Sequence, residues 1–195
     1  MCTAQAQTTY TLDDGSGNIN IGPTFTAEML WGNYFYTQPG ANVITEVQIG
    51  FGSYAVGAPV TLYVFDDPDM NGDPGNAIPL ATVSGLTAST GQTGFESYSI
   101  PDTSVSGAFF VAAMVPVTPP DDRPARLDPQ SPGNQSWFFA DGTIDPSNLG
   151  ASPFILRMDQ APFPGAWMVR AVAVPSPGMG AMLGFAGFSA VRRRR

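Results

Sequence analysis

The chain reads as an all-β protein, a two-sheet antiparallel β-sandwich of jelly-roll-like topology, with an immunoglobulin-like sandwich as the alternative and a short apolar helix at the C-terminus. Three observations predict this. The 195 residues include 22 glycines and 19 prolines, which punctuate turns and interrupt long helices. No stretch sustains a 3.6-residue apolar period. Short segments rich in β-branched and aromatic residues recur between turn signals, as in sandwiches and barrels.

In chain order the expected strands are Thr8 to Leu12, Met29 to Tyr36, Val43 to Phe51, Pro59 to Phe65, Ile78 to Val83, Phe95 to Ile100, Ala108 to Val115, Ser136 to Ala140 and Trp167 to Val174. Between Val43 and Phe51 the residues Val43, Val47, Ile49 and Phe51 share one face, while Glu46 and Gln48 share the other. That alternation marks a half-buried strand. Val60-Thr-Leu-Tyr-Val-Phe65 alternates less, as a strand covered on both faces does. No internal repeat is visible.

Composition narrows the function. The chain has no histidine, and its eight basic residues are all arginines. Four of these lie at the C-terminus, so the body sets four arginines against 16 acidic residues, a net charge of −12. A surface of that sign repels nucleic acid, so none is expected as a partner. It suits an exported protein that attracts divalent cations. Without histidine or lysine, the Ser-His pair, Schiff-base chemistry and a His-based zinc site are excluded. What remains is carboxylate chemistry, a glycan hydrolase using two acids from among Asp121, Asp122, Asp128, Asp141 and Asp159, all expected in loops. Catalysis is not the expected function.

After the fourth strand comes Asp66-Asp67-Pro-Asp69-Met-Asn71-Gly72-Asp73-Pro-Gly-Asn76. Oxygen-bearing side chains at Asp67, Asp69, Asn71 and Asp73, with Gly72 for a sharp turn, match the first half of a calcium loop. The twelfth position, where a bidentate glutamate belongs, is Ile78, and no helices flank the segment, so this is not an EF-hand. A calcium site on a β scaffold is one reading. The other is a tight hairpin loop, which favours the same residue types.

A second cluster comprises Arg126, Asp128 and Trp137, joined by Trp167 near the end of the body. Aromatic faces with Arg and Asp suit a shallow sugar-binding platform. Both tryptophans also fall inside strand patterns, as does Trp31, and would there serve as packing. On that reading Arg126 and Arg170 pair with Asp128 or Asp159.

The C-terminus carries Val174-Pro175-Ser176-Pro177, an apolar run from Met179 to Val191, and Arg192, Arg193, Arg194 and Arg195. The run is short for a span, which needs about 20 residues, and the arginine cluster suits stop-transfer at the cytoplasmic face of a membrane. This three-part order resembles the PEP-CTERM class of bacterial sorting signals, with Ser176 in place of the glutamate of the eponymous motif. The resemblance implies processing by a membrane transpeptidase-like sorting enzyme, an exosortase, and transient membrane anchoring by the tail. Upstream, Ala4-Gln-Ala6 has the small-x-small form of a secretory cleavage site. Residues 1–6 are therefore expected to be a signal-peptide remnant, with Met1 an internal or misassigned start and the mature chain beginning near Gln7. In the alternative, Cys2 is the lipid-bearing residue of a lipoprotein.

The body from residue 7 to 174 carries a second resemblance. Val60-Thr-Leu-Tyr-Val leading to Asp67-Pro-Asp69, then Pro-Ala-Arg-Leu-Asp128, Gln-Ser-Trp137 and Pro-Gly-Ala-Trp-Met-Val-Arg170, is similar to uncharacterised β-sandwich ectodomains that carry such tails in environmental bacteria. The expectation is an exported, surface-sorted structural or adhesive component of an envelope or extracellular polymer matrix. The alternative is a carbohydrate-binding module that engages exopolysaccharide.

Overall fold

The computed structural model describes residues 7–88 and 94–176. The expected signal remnant, Pro177, the apolar helix and the four terminal arginines lie outside the described residues. Fourteen strands run in order: β1 (Thr8–Tyr10), β2 (Ile19–Ile21), β3 (Ala27–Tyr36), β4 (Val43–Ile49), β5 (Phe51–Ser53), β6 (Pro59–Asp66), β7 (Ile78–Leu86), β8 (Glu96–Ser104), β9 (Ala108–Val117), β10 (Arg123–Asp128), β11 (Ser136–Asp141), β12 (Phe154–Arg157), β13 (Ala166–Trp167) and β14 (Val169–Val174). Single 3-10 turns at Pro74–Asn76, Leu149–Ala151 and Met158–Gln160 supply what helical structure the described residues have.

All strand pairs are antiparallel. One layer contains the order β1-β14-β4-β8, and the other the order β12-β11-β3-β9-β6-β7. Eight of these strands, β1, β3, β4, β6, β7, β8, β9 and β14, form the frame. Numbered among themselves they run first-eighth-third-sixth in one sheet and second-seventh-fourth-fifth in the other, which is jelly-roll topology.

The remaining strands extend the frame at one end. β11 and β12 widen the larger sheet beyond β3. β10 pairs with β13, β2 and β5 to form a smaller sheet. This sheet continues the β4 and β14 strands past a break at Gly50 and Met168. The break is shared, because the Gly50 amide donates to the Met168 carbonyl at 2.8 Å and the Met168 amide donates to the Arg126 carbonyl at 3.0 Å. A Cβ added at Gly50 would lie 2.8 Å from the Met168 Cβ, so the two chains cross there only because position 50 has no side chain.

The principal core lies between the layers. From the larger sheet it takes Met29, Trp31, Phe35, Val60, Leu62, Val64, Phe109 and Val111; from the opposite layer come Ile44, Val47, Ile49, Phe51, Leu127, Trp167 and Val169. A second cluster occupies the outer face of the larger sheet, where Leu30, Tyr34, Tyr63, Phe65, Phe110, Trp137 and Phe139 are covered by Ile144 and Leu149 from the segment after β11. Successive residues of β3, β6, β9 and β11 therefore enter different clusters, and both clusters are buried. This explains the near-continuous apolar run of Ala108–Val117, since a strand covered on both faces has no reason to alternate.

A polar staple crosses the principal core. Asn33 on β3 is fully buried, and its Nδ2 donates to the carbonyls of Trp167 and Val169, each at 2.8 Å. Its Oδ1 accepts from the Ser136 hydroxyl at 2.7 Å. The side chain thus ties the larger sheet to the carbonyls flanking the break at Met168.

β14 closes its sheet by pairing with β1 on one side and β4 on the other. Val174 is the last strand residue among the described residues. Beyond it, the Ser176 amide reaches the Asn42 Oδ1 at 3.2 Å.

Candidate functional site

The structure buries the expected sugar platform. Trp167 and Asp128 have no exposed surface, and Trp137 retains 9%. Trp167 donates its indole N–H to the Trp137 carbonyl at 2.8 Å, which fixes it in the core. Trp137 lies in the outer cluster with the Arg157 guanidinium 6.0 Å from its ring centroid. Arg126 and Asp128 are part of strand β10, not a loop. The Arg126 Nε donates to the Gly17 carbonyl at 2.6 Å.

The Asp128 carboxylate accepts from the amides of Asp14 and Gln130 at 3.0 and 2.9 Å and from the Ser131 hydroxyl at 2.6 Å. Burial pushes its carboxyl upward, but the Ser131 hydroxyl and the two amides outweigh it and leave the group below the usual carboxylate range. These four residues are therefore framework, and stacking faces buried in a core cannot meet a sugar.

The arginine pairings also differ from expectation. Arg170 pairs with Asp13, with Nε 3.1 Å from Oδ2 and Nη2 on Oδ1. Its guanidinium lies 3.9 Å over the Phe95 ring. Asp159 pairs instead with Arg157 at 2.7 Å.

A different surface has the composition of a binding site. At one edge β2 of the small sheet and the segment after it face β11 and β12. The space between them is a cleft. Its apolar end, about 260 Å³, is lined by Ile21, Pro23, Phe138, Phe154, Leu156 and Phe163 among others. Phe25, Phe154 and Phe163 stand at its rim, 49%, 46% and 60% exposed. Phe154 is braced edge-on by Phe138 with centroids 5.6 Å apart. Through Ile21 to Thr24 the cleft continues into a section of about 420 Å³ bounded by Asn20, Pro119, Pro120 and Arg123. It ends in a polar section that adds Asn18, Ser53 and Asp121. Aromatic faces at one end and amide, guanidinium and carboxylate groups at the other make the cleft amphipathic.

Sequence reasoning missed this cleft because its walls come from strands too short to show a period and from the distant segments 18–25, 119–123 and 154–163. The runs of proline and lone phenylalanines in those segments carry no periodic signal.

The carboxylates considered for two-acid chemistry are dispersed. Asp121 is the one acidic side chain among the residues lining the cleft. Asp122 accepts from the Thr118 amide at 2.9 Å and Asp141, at the end of β11, from the Gly142 amide at 2.6 Å. Asp128 and Asp159 are engaged as described.

The Asp67 to Asp73 segment forms the turn after β6 and docks through Pro74–Asn76 onto Leu149–Ala151. Asp67 is 1% exposed, and its Oδ2 accepts from the Tyr34 hydroxyl. Burial first, then the Asp67 carboxylate, pushes the Tyr34 phenol well above its ordinary value. Asp69 Oδ2 accepts from the side-chain amides of Asn71 and Asn76 at 2.8 and 2.9 Å. Asn71 Oδ1 accepts from the Asp73 amide at 2.6 Å, and Asp73 caps the next turn by accepting from the Gly75 amide at 2.9 Å. The four predicted oxygen donors thus divide, with Asp67 and Asp69 together and Asp73 turned to local capping. Among the described residues no group of three or more His, Cys, Asp or Glu side chains gathers as a metal cluster. Nor is any helix of these residues long and apolar enough to cross a membrane.

No family model and no curated protein matches this chain. Among solved structures, it is similar in fold to the cysteine protease and lectin-like domains of Cwp84, a surface layer associated protein of Clostridium difficile. That match has a TM-score of 0.57 at 15% identity, covering 87% of this chain and 36% of that one. A clostridial Cwp84 structure after propeptide cleavage matches with a TM-score of 0.56 at 15% identity, covering 87% and 40% of the two chains. The chain therefore spans less than half the length of either.

Proposed function

We propose that this protein is an exported, surface-sorted, non-catalytic component of a bacterial envelope or extracellular polymer matrix, and that it adheres to carbohydrate through the cleft between β2 and β12. The observation that carries the adhesive role is the amphipathic cleft itself, with three exposed phenylalanine rings at one end and Asn18, Asn20, Asp121 and Arg123 at the other. Pyranose rings present an apolar face of C–H groups and an equatorial rim of hydroxyls. Aromatic side chains suit the first and planar amide, guanidinium and carboxylate groups suit the second.

Several features support the rest of the reading. The sequence holds no histidine, and the cleft offers one carboxylate where glycoside hydrolysis needs two. Val174 is the last strand residue among the described residues, and Pro175-Ser176-Pro177, the apolar run and the four arginines that follow have the three-part order of a sorting signal for an exosortase-like enzyme. The fold likeness is to a chain that includes a lectin-like domain of a surface layer associated protein. Fold alone does not transfer a ligand, so the glycan class is argued from the cleft.

The test is affinity electrophoresis of the protein through gels cast with bacterial exopolysaccharide. The parent is expected to be retarded. Phe163→Ala and Phe154→Ala remove exposed rings at little cost in stability, and the double variant is expected to lose most of the retardation, since each lost stacking contact removes about 1 kcal/mol. A retarded parent with an equally retarded double variant would move binding away from the cleft. A parent that is not retarded would leave a structural role without carbohydrate adhesion.

A further inference from the structure

Three carboxylates are buried among the described residues, Asp13, Asp67 and Asp128, and the fold treats them differently. Asp13 shares both oxygens between the Arg170 guanidinium, the Gly15 amide and the Thr11 hydroxyl. Asp128 receives three donors across its two oxygens. Asp67 is different. Its Oδ2 is met by the Tyr34 hydroxyl and, at 3.4 Å, by the Gly72 amide, while its Oδ1 is buried with no hydrogen-bond donor. An ionised carboxylate oxygen can only accept, and burying it unpartnered forfeits its hydration.

The neighbour of that oxygen makes the deficit sharper. The Asp69 carboxyl lies against that of Asp67, with its own Oδ2 taken by the side-chain amides of Asn71 and Asn76. Two carboxyl groups that meet with a buried oxygen and no donor on it form an all-oxygen pair of the kind a cation bridges. Arginine does not fill that role here, since neither of the two ion pairs of the described residues involves Asp67 or Asp69.

We propose that Asp67 Oδ1 and the Asp69 carboxylate bind a calcium ion between them, with water completing an all-oxygen shell. The Asn76 side chain already reaches Asp69 Oδ2 through its amide nitrogen, and a half-turn of that amide presents an oxygen to the same point. Calcium fits better than magnesium because it tolerates irregular shells of six to eight oxygens, whereas magnesium demands a near-ideal octahedron. The ligand set differs from the one the sequence motif implies. Asp73 caps Pro74–Asn76 instead. None of these residues lines the cleft, so the site is independent of carbohydrate adhesion and is assigned to anchoring the β6–β7 turn against Tyr34.

With two carboxylates the site belongs with weak extracellular calcium sites, which bind at about 10⁻⁴ to 10⁻³ M. At ten times a Kd of about 1 mM, the folding equilibrium shifts about eleven-fold, read as a rise in Tm of about 3 to 6 °C. The experiment is a thermal melt of the full chain at pH 7 in EDTA, in 10 mM magnesium chloride and in 10 mM calcium chloride, with calcium binding followed separately by titration calorimetry. Asp69→Asn changes an exposed side chain, should fold, and should lose both the calcium-dependent rise and the binding heat. Asp67→Asn supplies an amide donor where the parent has none, so it should melt higher than the parent in EDTA and not respond to calcium. A parent whose Tm and heats ignore calcium would overturn the site. An Asp69→Asn variant with the full calcium response would overturn it equally.

Discussion

Replacing Asn33 by leucine is expected to destabilise the protein by about 3 kcal/mol, although leucine has the same side-chain branching as asparagine and is more apolar. The position has no exposed surface. Its amide serves two carbonyls of the opposite layer, and its oxygen receives the Ser136 hydroxyl. Leucine would leave the Trp167 and Val169 carbonyls and the Ser136 hydroxyl short of a partner in a closed core, and each such loss costs about 1 to 3 kcal/mol. Those carbonyls flank Met168, between β13 and β14. Urea unfolding should show a lower midpoint with an unchanged slope. A midpoint within experimental scatter of the parent would mean that the staple does not join the layers.

Arg170→Met is expected to be of similar size, about 3 kcal/mol or more. The Asp13 side chain is wholly buried while that of Arg170 keeps 21% of its surface. Removing the arginine therefore strands a buried charge, and breaking such a pair from one side costs about 3 to 5 kcal/mol. The Gly15 amide and the Thr11 hydroxyl remain on Asp13, which places the loss at the lower end. Asp13→Asn combined with Arg170→Met removes both charges and should recover part of the loss. A double-mutant cycle separates the coupling from the packing of the guanidinium on Phe95. Strictly additive single losses would contradict the pairing.

The frame of this sandwich was legible in its sequence, and its cleft was not. Each of the nine expected strands lies on a strand of the fold, because half-buried or doubly buried strands leave either an alternation or an apolar run. The two expected strands that prove to be broken, at Gly50 and at Met168, break opposite each other, a tertiary coincidence that neither segment announces. Ile19–Ile21, Phe51–Ser53 and Ala166–Trp167 are too short to hold a period. Arg123–Asp128, with its proline and two arginines, reads as a loop and becomes a strand because three partners pair with it.

The candidate site failed for a related reason. Trp137 and Trp167 carry the chemistry of a sugar platform, but strand parity sends one into each buried cluster. The arginine pairings reach across 157 residues, from Asp13 to Arg170, with no local sign. In the Asp67 turn the composition of a cation loop was visible, while the division of labour between Asp69 and Asp73 depends on the 3-10 turn that follows.

On the proposed reading the last strand ends at Val174 and the segment after it directs sorting to the surface. The direct test is the intact mass of the protein recovered from the envelope and extracellular matrix of the cells that make it. A C-terminus at or near Pro177 is expected, with the apolar run and Arg192 to Arg195 removed and the body left at a net charge of −12. Recovery of the chain with its four arginines still attached would contradict it.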